Sequence, residues 1–366
     1  MRRVTLAVWL LLSGCTGTLD GEERDGALPA SDADVPARDA GPAPRDAAPP
    51  GDAGPGCTPT TCEAVGAQCG SVGDGCGGSL ACGDCTGEEV CGGGGVANVC
   101  AVPPACPPAP AGATDAQRQA FERVNEVREQ VGAPCAAMIA EINQAAQSHA
   151  DYGAMNAGDP SCRSSGHDQT EGCPGFTGAS FGARLGAAGY SGGSFEIVHF
   201  LGNPRGAVDG WLGTLWHRIP LVLPQTDHYG AGFASRFDVM DFGRRQGVDP
   251  DGVWFYPAEG MTVSGRGGDE VPSPPDAPAS CGATSWGTFI TIMFGEGGAT
   301  VDTHTLTGPS GEEEHTWVTP SDSSFLAGTV FAMVPCPLSS GSHTVVVRGT
   351  HRSGAPFDRS VTFQVR

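Results

Sequence analysis

His217 sits in the run DGWLGTLWHRIPLVLP (209–224), an imidazole held between Trp216 and Arg218 among apolar neighbours. A histidine so placed either satisfies itself in a core with one hydrogen bond or forms part of a binding site. Two further stretches carry residue types with chemistry of their own. GYSGG (189–193) fits the G-x-S-x-G nucleophile pattern, but an elbow needs a strand before the serine and a helix after it. Here the pattern predicts a helix before Ser191 and more glycine behind it. Cys82-Gly83-Asp84-Cys85 has the spacing of a zinc or dithiol pair, yet six more cysteines crowd the same segment. All 20 basic residues are arginines, so Schiff-base lysines, P-loop lysines and Ser-Lys dyads are excluded.

The elements that position these residues follow from composition. At 366 residues the chain has room for two or three domains of roughly 150 residues each. A net charge of −21 argues against nucleic acid as a partner, because neutralising phosphates needs basic patches. MRRVTLAVWLLLSGC (1–15) has two arginines, an apolar stretch too short to span a bilayer, and a terminal Leu-Ser-Gly-Cys. It resembles a lipoprotein signal peptide with its lipobox, which implies acylation at Cys15 and a membrane contact through the lipid anchor. Thr16 after the cysteine favours the outer membrane. Export implies an oxidising compartment, so the remaining cysteines, fourteen of the fifteen, read as disulfides.

Residues 16–56 hold seven prolines and nine acidic residues with no aromatic, the composition of a disordered acidic tether. Eight cysteines between Cys57 and Cys100 mark residues 57–106 as a disulfide-stapled module; its lack of Trp, Tyr and Phe argues for a spacer. From 107 to 265 the pattern is α+β. Phe121, Val124, Val127 and Val131 recur at helical spacing behind Thr114 or Asp115 as the N-cap, and Gly132 and Pro134 close that helix. A second helix is expected over 137–155, shorter ones near 180–188 and 206–215, and strands at HYGAGFASRF and GVWFYPA. Within these, His149 falls mid-helix beside alanines and reads as a surface or helix-packing residue. VPSPPDAPAS places a linker at 266–280. The β-branched runs from 286 onward predict an all-β, immunoglobulin-like sandwich over 281–366, whose only cysteines, Cys281 and Cys336, are expected to pair.

FERVNEVREQVGAPC, AAQSHADYGAMN, SGHDQ, GARLGAAGY, FEIV, VDGWLGTLWHRIPLVLP and YGAGFA, in that order, resemble the bacterial CAP (SCP-like) domain. This is the superfamily of cysteine-rich secretory proteins, antigen 5 and plant pathogenesis-related proteins. The resemblance covers about residues 114–258 and implies an α-β-α sandwich whose cleft gathers two histidines and two glutamates. Carried over position by position, it implies His217, His167 and Glu196, with Glu171 as the fourth member. The sequence departs from the family at Ile197, where asparagine is usual, and at Thr214-Leu215-Trp216, where Ser-Pro-Gly is usual. Cys162 and Cys173 flank the His167 loop and are expected to pair, which leaves Cys106 for Cys135. His199, three residues past Glu196, would sit on the opposite face of a strand.

Two neutral imidazoles and a carboxylate can hold a divalent metal such as zinc, with His167 and His217 as ligands. Without metal the same groups can share protons or fix loops. The preferred reading is a lipid-anchored, surface-exposed binding module whose cleft takes a lipid, a peptide or a cell-wall glycan. A metal-dependent hydrolase, with Glu196 or Glu171 as the catalytic base, is the alternative, and a structural envelope protein the third. In all three the protein belongs to the cell envelope, as an outer-membrane lipoprotein or in secreted form.

Overall fold

A computed structural model describes residues 57–366, apart from 77–78, 88, 93–97, 103–105 and 245–247. The signal peptide, Cys15 and the acidic tether lie outside the described residues.

Among the described residues, the cysteine-rich module holds four short strands: β1 (Ser71–Gly73), β2 (Ser79–Ala81), β3 (Val90–Cys91) and β4 (Cys100–Ala101). They pair as two hairpins, β1 with β2 and β3 with β4. So little apolar area cannot hold a fold, and four disulfides take over: Cys57–Cys76, Cys62–Cys82, Cys69–Cys91 and Cys85–Cys100. Cys82 and Cys85 therefore belong to different bridges.

The central region has three layers. Helix α1 (Asp115–Gln130) starts at a capping box in which the Thr114 hydroxyl and the Gln117 side chain exchange hydrogen bonds with each other's backbone. Its buried face is Phe121, Val124 and Val127. After β5 (Ala137–Met138) comes α2 (Ala140–Met155), then α3 (Phe181–Ala187), β6 (Gly193–His199), α4 (Pro204–Leu212), α5 (Arg218–Val222), β7 (His228–Ala234) and β8 (Phe237–Gly243). The sheet order is β5-β7-β8-β6. Helix α2 lies on one face of the sheet, and α1 packs with α4 and α5 on the other. Close approach of α2 depends on small residues. A Cβ built on Gly230 or Gly232 would stand 2.3 Å from α2 backbone atoms, so YGAGFA reads as the seat of that helix.

A two-sheet β-sandwich follows. β9 (Val253–Tyr256), β11 (Ile290–Phe294), β14 (His315–Val318) and β15 (Val330–Pro335) form one sheet, in the order β14-β15-β11-β9. β10 (Thr262–Val263), β12 (Ala299–Gly308), β13 (Gly311–Glu312), β16 (Gly341–His351) and β17 (Pro356–Val365) form the other, in the order β10-β17-β16-β12-β13. Strand GVWFYPA, expected inside the central domain, pairs instead with β11, and Thr262–Val263 runs parallel to the last strand. The sandwich thus begins before the proline-rich segment. That segment is no free linker either: Trp216 Nε1 donates to Ser273 O and Gly268 N donates to Gly213 O.

β11 is buried along its whole length because it packs on both faces. Ile290, Ile292 and Phe294 pack into the sandwich with Val345, Val347 and Phe363. Met293 faces the other way, into an interior shared with Trp211, Leu221 and Val222. Arg218 crosses the same boundary. Its guanidinium donates to Leu212 O and Phe289 O and stacks 4.2 Å over the Tyr256 ring. Burial pulls its pKa down to about 10, so the cation persists at neutral pH. Disulfides Cys106–Cys135, Cys162–Cys173 and Cys281–Cys336 complete the frame.

Candidate functional site

His167 rides on the loop between α2 and α3, which has few apolar anchors of its own. Helix α2 supplies the support. Its Tyr152 hydroxyl donates to Cys162 O and accepts from Thr170 N. His149 is fully buried beneath the loop, where Nε2 donates to Gly166 O at 2.7 Å and Nδ1 accepts from the Gln169 amide at 3.1 Å. Both ring nitrogens are thereby committed to the neutral form, and burial lowers the His149 pKa accordingly. The surface position allowed for His149 by the sequence is not the one it takes.

Above this support, His167 Nδ1 donates to Glu196 Oε1 at 3.0 Å. The imidazole is 55% exposed while the Glu196 side chain is 2% exposed. Glu196 stands on β6, and its second oxygen accepts from the buried Arg184 of α3, which also donates to His167 O. Burial alone would raise the Glu196 pKa; the His167 hydrogen bond and the Arg184 charge outweigh it and leave the carboxyl below its usual range. Asp241 of β8 is the register partner of Glu196 across the sheet and is also fully buried. Burial, then the Glu196 charge, pushes its pKa well above the ordinary value. One buried arginine serves Glu196, so of the two carboxyls Asp241 is the one that holds its proton more tightly.

His217 occupies a different setting. It stands at the N-terminus of α5, with Nδ1 2.7 Å from Glu270 Oε2. Glu270 Oε1 accepts from Leu215 N at 2.7 Å and Trp216 N at 2.8 Å, and Oε2 accepts from His217 N at 3.2 Å. A single carboxylate from the proline-rich segment thus satisfies three N–H groups at a helix start. The His217 imidazole is 16% exposed and the Glu270 side chain 1% exposed.

The sequence-derived set is therefore distributed over two pairs. His167 and Glu196 meet directly, carried by the α2–α3 side and β6. His217 meets Glu270, and Glu171 is exposed, with no hydrogen bond to either histidine among the described residues. His199, on the face of β6 opposite Glu196, stands edge-on to Trp211; burial, then the His217 charge among other influences, lowers its pKa. Sequence reasoning missed Arg184, Asp241 and Glu270. Arg184 lay within the quoted GARLGA, a basic residue in a short helix with little else to bury. Glu270 had no local signal, because the surrounding prolines point only to a linker.

A zinc centre needs converging ligands. Among the described residues, the one set of three His, Cys, Asp or Glu ligand atoms within 4.8 Å of one another is Cys69, Cys85 and Cys91. Those sulfurs are already in disulfides. With each Nδ1 of His167 and His217 turned to its own carboxylate, the cleft groups as folded do not fit a three-ligand ion. What the first pair can do is present a polarised imidazole to solvent on a rigid anionic base.

Comparison with known proteins adds the following. Residues 121–241 match the model of the cysteine-rich secretory protein family, CAP. An extracellular protein containing an SCP domain from Bacillus anthracis str. Ames is similar in structure at 23% identity. That similarity covers 36% of this chain and 40% of that one, with a TM-score of 0.31. An outer surface protein from Borrelia burgdorferi is 16% identical over 34% of this chain and 90% of that one, TM-score 0.26. CopC from Methylosinus trichosporium OB3b is 14% identical over 30% and 87%, TM-score 0.21. No curated protein matches the chain.

Proposed function

We propose, from the match of residues 121–241 to the CAP family, that the chain is an extracytoplasmic binding module anchored through Cys15. The observation that carries this reading is the His167 site. A half-exposed imidazole is held by a buried glutamate, itself clamped by a buried arginine, which is the build of a contact group kept ready for a ligand. Binding is favoured over metal-dependent hydrolysis because His167 and His217 each turn Nδ1 to a carboxylate of its own, Glu196 and Glu270. Seven disulfides suit an oxidising compartment outside the cytoplasm. No helix among the described residues is long and apolar enough to cross a membrane, and the acyl chains on Cys15 are the proposed attachment.

The ligand class is lipid, peptide or cell-wall glycan, each of which offers polar groups that can hydrogen-bond to Nε2, the His167 nitrogen not turned to Glu196. The test is an NMR titration of the His167 ring with lipid vesicles, short peptides and peptidoglycan fragments. One class should shift that resonance, and His167→Ala should weaken the same interaction at least about tenfold with the fold unchanged. A His167 resonance unmoved by all three would remove the proposal.

A further inference from the structure

The sandwich carries a second cluster of nitrogen ligands, away from the cleft. Glu312-Glu313-Glu314-His315-Thr316-Trp317 runs from β13 into β14, and His315 meets His304 of β12 in the opposite sheet. His304 Nδ1 and His315 Nε2 are 2.9 Å apart. The tautomers follow from the neighbours. His315 Nδ1 donates to Glu313 O at 3.1 Å, so its Nε2 carries a lone pair aimed at His304. His304 lies flat on the Trp317 indole, with ring centroids 4.0 Å apart and planes 8° from parallel. We propose that His304 and His315 form a binding site for a late first-row divalent cation, Cu2+ most tightly, which clips the two sheets of the sandwich together.

Several observations support it. Ligand imidazoles are usually oriented by a backbone carbonyl on their other nitrogen, and Glu313 O does this for His315. When a cation enters, His304 passes its Nδ1 proton to Nε2, and both rings remain neutral. Nitrogens 2.9 Å apart span the edge of a tetragonal shell with bonds of about 2.0–2.1 Å, whereas a tetrahedral ion needs an edge of about 3.3 Å. The rings, tilted 65° to each other, must each turn off their mutual hydrogen bond to aim both lone pairs at one point. Three consecutive glutamates supply a negative field. Glu313 faces His343 at 3.8 Å and Glu314 accepts from Ser280 Oγ, so water completes the shell.

The experiment is a Cu2+ titration of the full chain, followed by tryptophan fluorescence and by electron paramagnetic resonance. Expected are one tight Cu2+ with couplings from two imidazole nitrogens and quenching that Trp317→Phe abolishes while its resonance spectrum stays. His304→Ala and His315→Ala should each weaken Cu2+ at least about tenfold, and His167→Ala and His217→Ala should leave it unchanged. If an alanine variant fails to fold, His304→Gln or His315→Gln keeps a polar contact between the sheets and reads the same loss. Cu2+ affinity and spectrum unaltered in the His304 and His315 variants would overturn the site. So would loss of binding in the cleft variants alone.

Discussion

His167–Glu196 and His217–Glu270 bury their carboxylates alike, at 2% and 1% exposure, yet one imidazole is 55% exposed and the other 16%. The difference lies in what each carboxylate serves. Glu196 gives one oxygen to Arg184 and one to His167, so its work ends at a ring facing solvent. Glu270 turns its oxygens to the backbone of residues 215–217, and His217 is one more donor in a knot that ties the proline-rich segment to α5. Matching residue types thus divide into a presenting pair and a fastening pair.

The sharpest way to break this comparison is Glu270→Ala. It leaves three N–H groups and His217 without their acceptor, and a loss of about 3 kcal/mol or more is expected in denaturant unfolding. His217→Ala removes one donor from the same knot and should cost about 1–3 kcal/mol. A cost near zero for Glu270→Ala would show that the segment is not fastened there.

Asp241 tests the anionic base under His167 through pH. Its folded pKa is raised, so its contribution to stability is full below the ordinary carboxylate value of about 3.9 and is lost as pH rises through the raised value. Asp241→Asn should therefore raise the melting temperature, and the gain should grow from about pH 4 upward. His149 has the opposite sign. Its folded pKa is lowered, so its contribution is lost as pH falls below about 6.5, and the His167 loop should gain amide exchange there. Smallest of all is His167→Ala, expected within about 0.5 kcal/mol of the parent because the ring is half exposed. A large destabilisation in that variant would merge the two pairs into one structural network.

Much of this was legible in the residues. Thr114, with Phe121, Val124 and Val127 at helical spacing behind it, announced α1; HYGAGFASRF announced a strand; and the CAP resemblance put Glu196 in one cleft with His167. The rest depended on contacts distant in sequence. GVWFYPA has strand composition whichever sheet it joins, and its partner β11 lies beyond the prolines. Glu270 is 53 residues from His217, and nothing in GGDEVPSPPD shows that its carboxylate turns inward. Buried Asp241 looked like any acidic residue between apolar neighbours, because protonation is set by the missing counter-charge and not by local pattern.

The apolar interior that joins Trp211 and Leu221 to Met293, Val330 and Ala332 has a calorimetric consequence. Regions that share one interior cannot melt one after the other, since exposing either face removes the contacts of both. The central fold and the sandwich should absorb heat in a single transition, with the van't Hoff and calorimetric enthalpies of that transition in agreement. Cutting the chain at the proline-rich segment would then yield two unstable fragments and no domain.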